Sequence, residues 1–356
     1  MSLDFENSYS LADRVLHRLA FATRRLQIDF AETEDRGLAD IPLRPPLFVT
    51  GLPRAGTTLL LECIAGLDEF ATHIYRDMPF VLVPQFWNRI SRSFQTREQR
   101  TERAHGDGML VGTDSPEAFE EMIWLAFYPK RYDGDSIKPW ADTAALAELK
   151  PFLANHMRKI VALRRPHGNA RYASKNNLNI ARIGALGNAF PDASIVVPFR
   201  EPIQHAASLL RQHRNFLDMH ARDDFARRYM AGIGHFDFGA NLKPVNFDGW
   251  LHQTEHRDPL TLNFWLAYWC ATYRHILTQH GQRVILLSYE QFSRRPEAQL
   301  NSLADCLTLK ARDAFVANAA RIKPVKSYDV SAQGVDERLA TEAAALLDEL
   351  EAAALR

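Results

Sequence analysis

Residues 47–61 read Leu47-Phe48-Val49-Thr50-Gly51-Leu52-Pro53-Arg54-Ala55-Gly56-Thr57-Thr58-Leu59-Leu60-Leu61, and the rest of the chain is organised around them. The short apolar run predicts a buried strand. A turn carrying two glycines follows, and threonines and leucines then open a helical pattern. Strand, tight turn and helix in that order build an anion cradle, because backbone N–H groups of the turn and of the helix N-terminus converge on one point.

Gly51 and Gly56 stand where the loop G-x-x-x-x-G-K-[ST] has its glycines, and Thr58 where it has its hydroxyl. The lysine of that loop is Thr57 here, and the nearby cation is Arg54, inside the turn. The loop is therefore suited to a phosphate but not to an ordinary nucleoside triphosphate.

At 356 residues, 46% of them apolar and 24% charged, the chain can bury a large core as one α/β domain, with or without a helical lid. Formal net charge is zero, which argues against nucleic acid as a partner and leaves positive charge to matter only where it clusters. Cys63, Cys270 and Cys306 are far apart and odd in number, which fits free thiols in a reducing compartment. No H-E-x-x-H or C-x-x-C setting occurs, so no metal is expected. The first residues lack a basic-then-apolar leader and no apolar run reaches the length of a transmembrane helix. The expected location is cytoplasmic.

In chain order, residues 8–34 place Val15, Leu16, Leu19, Leu26 and Phe30 at helical spacing with arginines between, predicting a packing helix with a solvated face. A helix over 57–67 precedes a second strand from Phe70 towards Asp77 and Pro79. Phe80 to Ile90 predicts a buried or substrate-facing helix holding Trp87. Asp114-Ser115-Pro116-Glu117 has the chemistry of a helix start. Capping and solvation account for Glu117, Glu120 and Glu121. A helix over 142–166 leads to Ser174-Lys175-Asn176-Asn177, a helix over 180–190 and a strand over 194–199. Pro198 cannot donate to a ladder and so marks the end of that strand. Arg200-Glu201-Pro202 turns into a helix running through Ser208. Residues 212–260 are irregular, with the composition of a substrate lid. A helix over 259–279, a strand over 283–290, a helix from Pro296 and a tail helix over 335–355 complete the pattern.

This strand–helix alternation predicts an α/β fold, a mostly parallel central sheet flanked by helices, with a helical lid insertion. Ligands in such sheets lie at the carboxyl ends of the strands. Those ends are Thr50-Gly51, Asp77, Lys175, Arg200 and Tyr289. A metal-dependent phosphotransferase holds Mg²⁺ through an acid ending a neighbouring strand. Here the strand over 194–199 ends in a cation, Arg200. A site of Arg and Lys without an acid pair suits sulfuryl transfer, where side-chain cations replace the metal.

Pro53-Arg54-Ala55-Gly56-Thr57-Thr58 resembles the PRSGTT loop of sulfotransferases that use 3′-phosphoadenosine 5′-phosphosulfate (PAPS), with Ala55 in place of serine. Arg200-Glu201-Pro202 with Ser208 resembles the R-D-P-x₅-S element of that family, with Glu201 for aspartate. Pro191-Asp192-Ala193 before the strand, and Tyr289-Glu290-Gln291-Phe292 with Pro296 after it, keep the family's order. The resemblance spans about 47 to 310 and is nearest to the bacterial, tyrosylprotein-sulfotransferase-like group.

It implies that Arg54, Ala55, Gly56, Thr57 and Thr58 hold the 5′-phosphosulfate, that Arg200 and Ser208 clamp the 3′-phosphate, and that Tyr289 contacts the nucleotide. It further implies that Lys175 supports the leaving phosphate and that Asp77 is the general base; His205 and His213, near the nucleotide helix in sequence, are held in reserve. Arg54, Lys175 and Asp77 are then the catalytic set. Arg321 to Lys326 is a basic cluster read equally as a nucleotide contact or as solvated surface.

The expected domains are an N-terminal helical segment (1–46), the sulfotransferase domain (47–330, lid 212–260) and a C-terminal helix (331–356). The expected reaction is direct in-line transfer from PAPS to an acceptor hydroxyl on a sugar, phenol, lipid head group or peptide, and a homo-oligomer is left open. The alternatives are a P-loop kinase or NTPase and a non-catalytic nucleotide-binding relative.

Overall fold

In the computed structural model, which describes residues 11–91, 101–102, 110–111, 116, 118–141, 146–165, 169–325, 330 and 334–356, the run at 47–49 is the central strand of a sheet. Helices α1 (Leu11–Ala22) and α2 (Arg24–Ala31) precede that strand, β1 (Leu47–Val49). Then come α3 (Thr57–Ala65), β2 (Phe70–Ala71), α4 (Pro84–Ser91), an antiparallel ribbon of β3 (Thr101–Glu102) and β4 (Leu110–Val111), and α5 (Glu121–Phe127). The middle of the chain gives α6 (Leu149–Arg164), β5 (Arg171–Lys175), α7 (Ile183–Ala189), β6 (Ser194–Phe199), α8 (Pro202–Arg222), α9 (Asp224–Gly232) and α10 (Trp250–Gln253). The last group is α11 (Leu262–His275), β7 (Ile285–Ser288), α12 (Tyr289–Arg294), α13 (Pro296–Cys306), α14 (Arg312–Val316) and α15 (Glu337–Ala353).

The large sheet runs β2-β5-β1-β6-β7 and every pair in it is parallel. Both faces are covered, and the pleat sorts the side chains between them. Leu47, Val49, Ala173, Val196 and Leu287 join Leu60, Cys63 and Leu300 in one core. Phe48, Tyr172, Ile195, Val197 and Leu286 join the other, under α6, α8 and α11. The tail helix α15 belongs to that second core through Ala343, Leu346 and Leu350. Ser288 Oγ donates to Glu351 Oε1, and Leu355 N to Leu286 O, so the tail is bound to β7.

After β1 the chain moves first to the β5–β2 side and later to the β6–β7 side. The order of connections reverses at β1/β6, and sheets of this kind leave a crevice outside the carboxyl ends of the strands at such a point. Pro198 lies inside β6, one residue before its end, facing Leu287. Val196 O accepts from Thr50 N, so by alternation Pro198 faces the same side, beyond the end of β1, where no ladder donor is required.

Several expectations change. The second strand is only Phe70–Ala71, and Tyr75–Asp77 is a 3₁₀ turn. The single helix over 8–34 is two, and its large apolar residues point outward: Val15, Leu19, Leu26 and Phe30 are exposed, while His17, Ala20, Gln27 and Ala31 are buried. Periodicity found the helices but not which face packs. Asp114, Ser115 and Glu117 lie outside the described residues, and α5 starts only at Glu121. The helix over 142–166 is Leu149–Arg164, and the one over 180–190 is a 3₁₀ segment followed by α7.

Residues 212–222 are not irregular but continue α8, whose buried face includes Gln212, His213, Phe216 and His220. Half-polar burial of that kind breaks the apolar pattern a helix usually shows. Among the described residues no helix is long and apolar enough to cross a membrane.

Candidate functional site

Gly51 (φ 144°), Arg54 (φ 71°) and Gly56 (φ 87°) bend the chain from β1 into α3, and Gly56 is the residue before the helix. The first-turn N–H groups of α3 have no carbonyl four residues back and open towards the loop. A Cβ on Gly56 would lie 2.6 Å from the Tyr289 ring, so the absence of a side chain is what lets Tyr289 pack on the loop. Arg54 is the non-glycine residue in a left-handed conformation here, and its Nε lies 3.5 Å from Ser208 Oγ.

Helix α8 supplies the other wall. Glu201 caps it, accepting from Ile203 N (3.2 Å) and Gln204 N (2.6 Å), with Pro202 in the first turn. That cap fixes Arg200 at the end of β6. Arg200 is buried; its guanidinium donates to Arg54 O (3.1 Å) and lies over the Tyr289 ring, 5.2 Å from the centroid. Its Nε is buried without a hydrogen-bond partner, 3.9 Å from Glu290 Oε1, and neither Glu290 oxygen has one. Burial pushes the Glu290 carboxyl up. The structure thus brings Arg54, Ala55, Gly56, Thr57, Thr58, Arg200, Ser208 and Tyr289 to one crevice.

His205 and His213 hold structure rather than face that crevice. His205 is fully buried and its Nε2 lies 2.8 Å from Pro53 O, which can only accept, so Nε2 carries the proton. Burial, and then the Arg200 charge, lower its pKa to about 3. His213 Nδ1 accepts from Gly239 N (3.1 Å), and burial lowers its pKa to about 4.

Lys175 ends β5 beside Val49, one strand from the loop. The turn after it is held from below by two carboxylates that sequence reasoning assigned to capping and solvation. Glu120 and Glu121 are in fact buried. Glu120 accepts from Tyr172 (3.1 Å), Ser174 (2.6 Å) and Asn179 (2.9 Å). Glu121 accepts from Asn176 (2.7 Å), Tyr132 and Arg182. Burial would lower the Arg182 guanidinium, but Glu121 outweighs it and holds it charged, while burial pushes the Glu121 carboxyl up. A clue was present: two acids precede the apolar run Met122-Ile123-Trp124-Leu125, and Asn176, Asn177 and Asn179 offer donors for them.

Asp77 departs most from its expected role. It is 3% exposed, and its Oδ1 accepts from Arg164. Its Oδ2 accepts from Ile74 N (2.9 Å) and lies 3.3 Å from His73 Nδ1. Burial alone would raise its pKa, but His73 and Arg164 outweigh that and hold it below the ordinary value. A base must reach the hydroxyl it deprotonates. This carboxylate is ionised but enclosed, and the geometry speaks against it as the base. Arg321 pairs with Glu62 (3.2 Å) at the surface, and Lys326 lies outside the described residues.

A five-stranded parallel sheet, with a glycine turn at its point of reversal and the Arg200 guanidinium bonded to the backbone of that turn, defines an α/β protein with a candidate anion site at that loop. The family model described as the sulfotransferase family matches residues 45–247, and the chain belongs to that family. Among solved structures it is similar to sulfotransferase STF9 from Mycobacterium avium. The identity is 16% and the TM-score 0.53, over 95% of this chain and 84% of that one. It is also similar to sulfotransferase STF1 from Mycobacterium tuberculosis, at 13% identity and TM-score 0.50, over 94% and 85%. These likenesses concern the fold. No curated protein matches the sequence.

Proposed function

We propose that the protein transfers a sulfuryl group from PAPS to an acceptor hydroxyl by direct in-line displacement. One observation carries the reading: the Arg200 guanidinium donates to the carbonyl of Arg54, joining two elements 146 residues apart into one cationic crevice. The residues fit the donor. Arg200 Nε is a buried donor with no hydrogen bond, and the glycine at 56 lets the Tyr289 ring close on the loop. When bound, PAPS supplies an activated sulfuryl group, whose transfer leaves adenosine 3′,5′-bisphosphate.

The chain's own residues then bind and balance charge. The loop from Ala55 to Thr58 and the first turn of α3 hold the 5′ end. Arg54 offsets charge on the oxygens released as the sulfuryl bond breaks. Arg200 and Ser208 hold the 3′-phosphate, Tyr289 lies against the nucleotide, and Lys175, which ends β5 beside Val49, supports the leaving phosphate. Asp77 is a structural buttress of the β2 turn in this reading. Asn177 Nδ2 donates to Asp237 Oδ2 (3.1 Å), which bonds the 233–246 segment to the carboxyl end of β5. This supports a lid role for the region around 212–260.

Calorimetry of adenosine 3′,5′-bisphosphate against ATP–Mg²⁺ tests the reading. The bisphosphate is expected to bind more tightly, and Arg200→Ala to weaken it by about a hundredfold through loss of a charge-assisted contact. Tighter binding of ATP–Mg²⁺ would instead support a kinase or NTPase. Bisphosphate binding without sulfuryl transfer to any hydroxyl in a broad acceptor panel would support a non-catalytic relative.

A further inference from the structure

Seven large apolar side chains are exposed among the described residues, and six of them share one region: Val15, Leu19, Leu26 and Phe30 on α1 and α2, and Phe86 and Ile90 on α4. Phe30 and Phe86 are in edge contact, with ring centroids 5.1 Å apart, so the region is continuous. Thr23 (φ −99°, ψ 12°) separates α1 from α2, but their buried residues His17, Ala20, Gln27 and Ala31 keep one helical phase across it. Thr23 N donates to Leu19 O and Gln27 N to Thr23 O, which carries the hydrogen-bond ladder across the break between them. An apolar patch of this kind marks a contact surface.

The spacing says what kind of contact. Ala12, Val15, Leu19, Ala22 and Leu26 are all exposed and follow one another at intervals of three and four. That is the narrow seam of a helix that packs on another helix, whereas a helix lying in a lipid surface presents a broader apolar face. Alternation of alanine with larger residues lets two such seams approach closely. Arg18, Arg25 and Asp29 are exposed on the same edge of the seam, Arg18 and Asp29 about three helical turns apart with Arg25 between them, near the centre of the contact. In an antiparallel two-fold contact the same edges meet. Arg18 of one copy then stands opposite Asp29 of the other, twice, a pairing that a parallel contact, in which opposite edges meet, does not make.

We propose that this face joins two copies of the chain, in an antiparallel, two-fold contact centred between Leu19 and Leu26. Sedimentation of the full chain tests it. The wild type is expected to be a dimer. Leu19→Asp with Leu26→Asp is expected to give a monomer that keeps the native circular dichroism spectrum, with the dissociation constant raised roughly a thousandfold or more. Arg18→Asp and Asp29→Arg should each weaken the dimer about tenfold, and together restore it.

A monomer at about 0.1 mM, or a dimer that survives the two aspartates, would overturn the proposal. So would a wild-type monomer that binds phosphatidylglycerol vesicles through these leucines. Failure of the charge exchange to restore association would overturn the antiparallel geometry.

Discussion

At Gly56 the Tyr289 ring occupies the place where a side chain would go, and the backbone is left-handed. Gly56→Ala therefore meets both strain and a clash. We expect it to cost about 1–3 kcal/mol and to close the cradle to bisphosphate. Tyr289→Ala in the same chain should recover part of the stability but not the affinity, read from urea midpoints and calorimetry. Asp77 gives the opposite result. Asp77→Ala leaves Arg164 and His73 without their partner in a buried setting, and about 3–5 kcal/mol should be lost. Bisphosphate affinity of the protein that remains folded should not change. A selective loss of kcat with stability intact would return Asp77 to the role of base.

Among the elements, α5 shows how a helix can serve a site it does not touch. Its first residue, Glu121, and the preceding Glu120 hold Tyr172, Ser174, Asn176, Asn179 and Arg182, the residues on either side of Lys175. Glu121→Gln should cost about 3–5 kcal/mol, because Arg182 stays buried and charged. Glu121→Leu combined with Arg182→Met should cost less than either single change, measured by chemical unfolding.

The sequence made the loop over 51–56, β6 with its capped helix, and β7 legible, because glycine, proline and capping residues mark such elements locally. It did not reveal the burial of Glu120 and Glu121, since all their donors but Tyr132 lie more than fifty residues away. Nor did it reveal the inward face of α8, where glutamine and histidines take apolar positions. Outward-facing leucines on α1 and α2 have the same period as inward-facing ones, so pattern alone assigned them to the core.

For the whole molecule, buried histidines set the acid limit. Burial is the leading cause in each case: it lowers His205 to about 3, His213 and His220 to about 4, and His156 well below its ordinary value. Unfolded, each takes up a proton near pH 6.5. Folded pKa values below the unfolded ones mean that the unfolded chain binds more protons in that interval, so stability rises with pH across it and falls on acidification. Asp77, held below its ordinary value, adds to the loss below about pH 4. The unfolding temperature should be nearly level above about pH 7.5 and fall steadily from about 6.5 to 4. His205→Gln should make that fall shallower in calorimetric scans.

The binding of α15 to β7 also has a consequence for synthesis. The glycine loop emerges from the ribosome roughly 300 residues before Leu355 reaches Leu286, an interval of tens of seconds at ordinary elongation rates. Until then the apolar side of α11 and α8 on which α15 packs stays uncovered. The nascent chain therefore carries its ligand loop early but exposes an apolar surface late, and it is a natural client for chaperones throughout that wait.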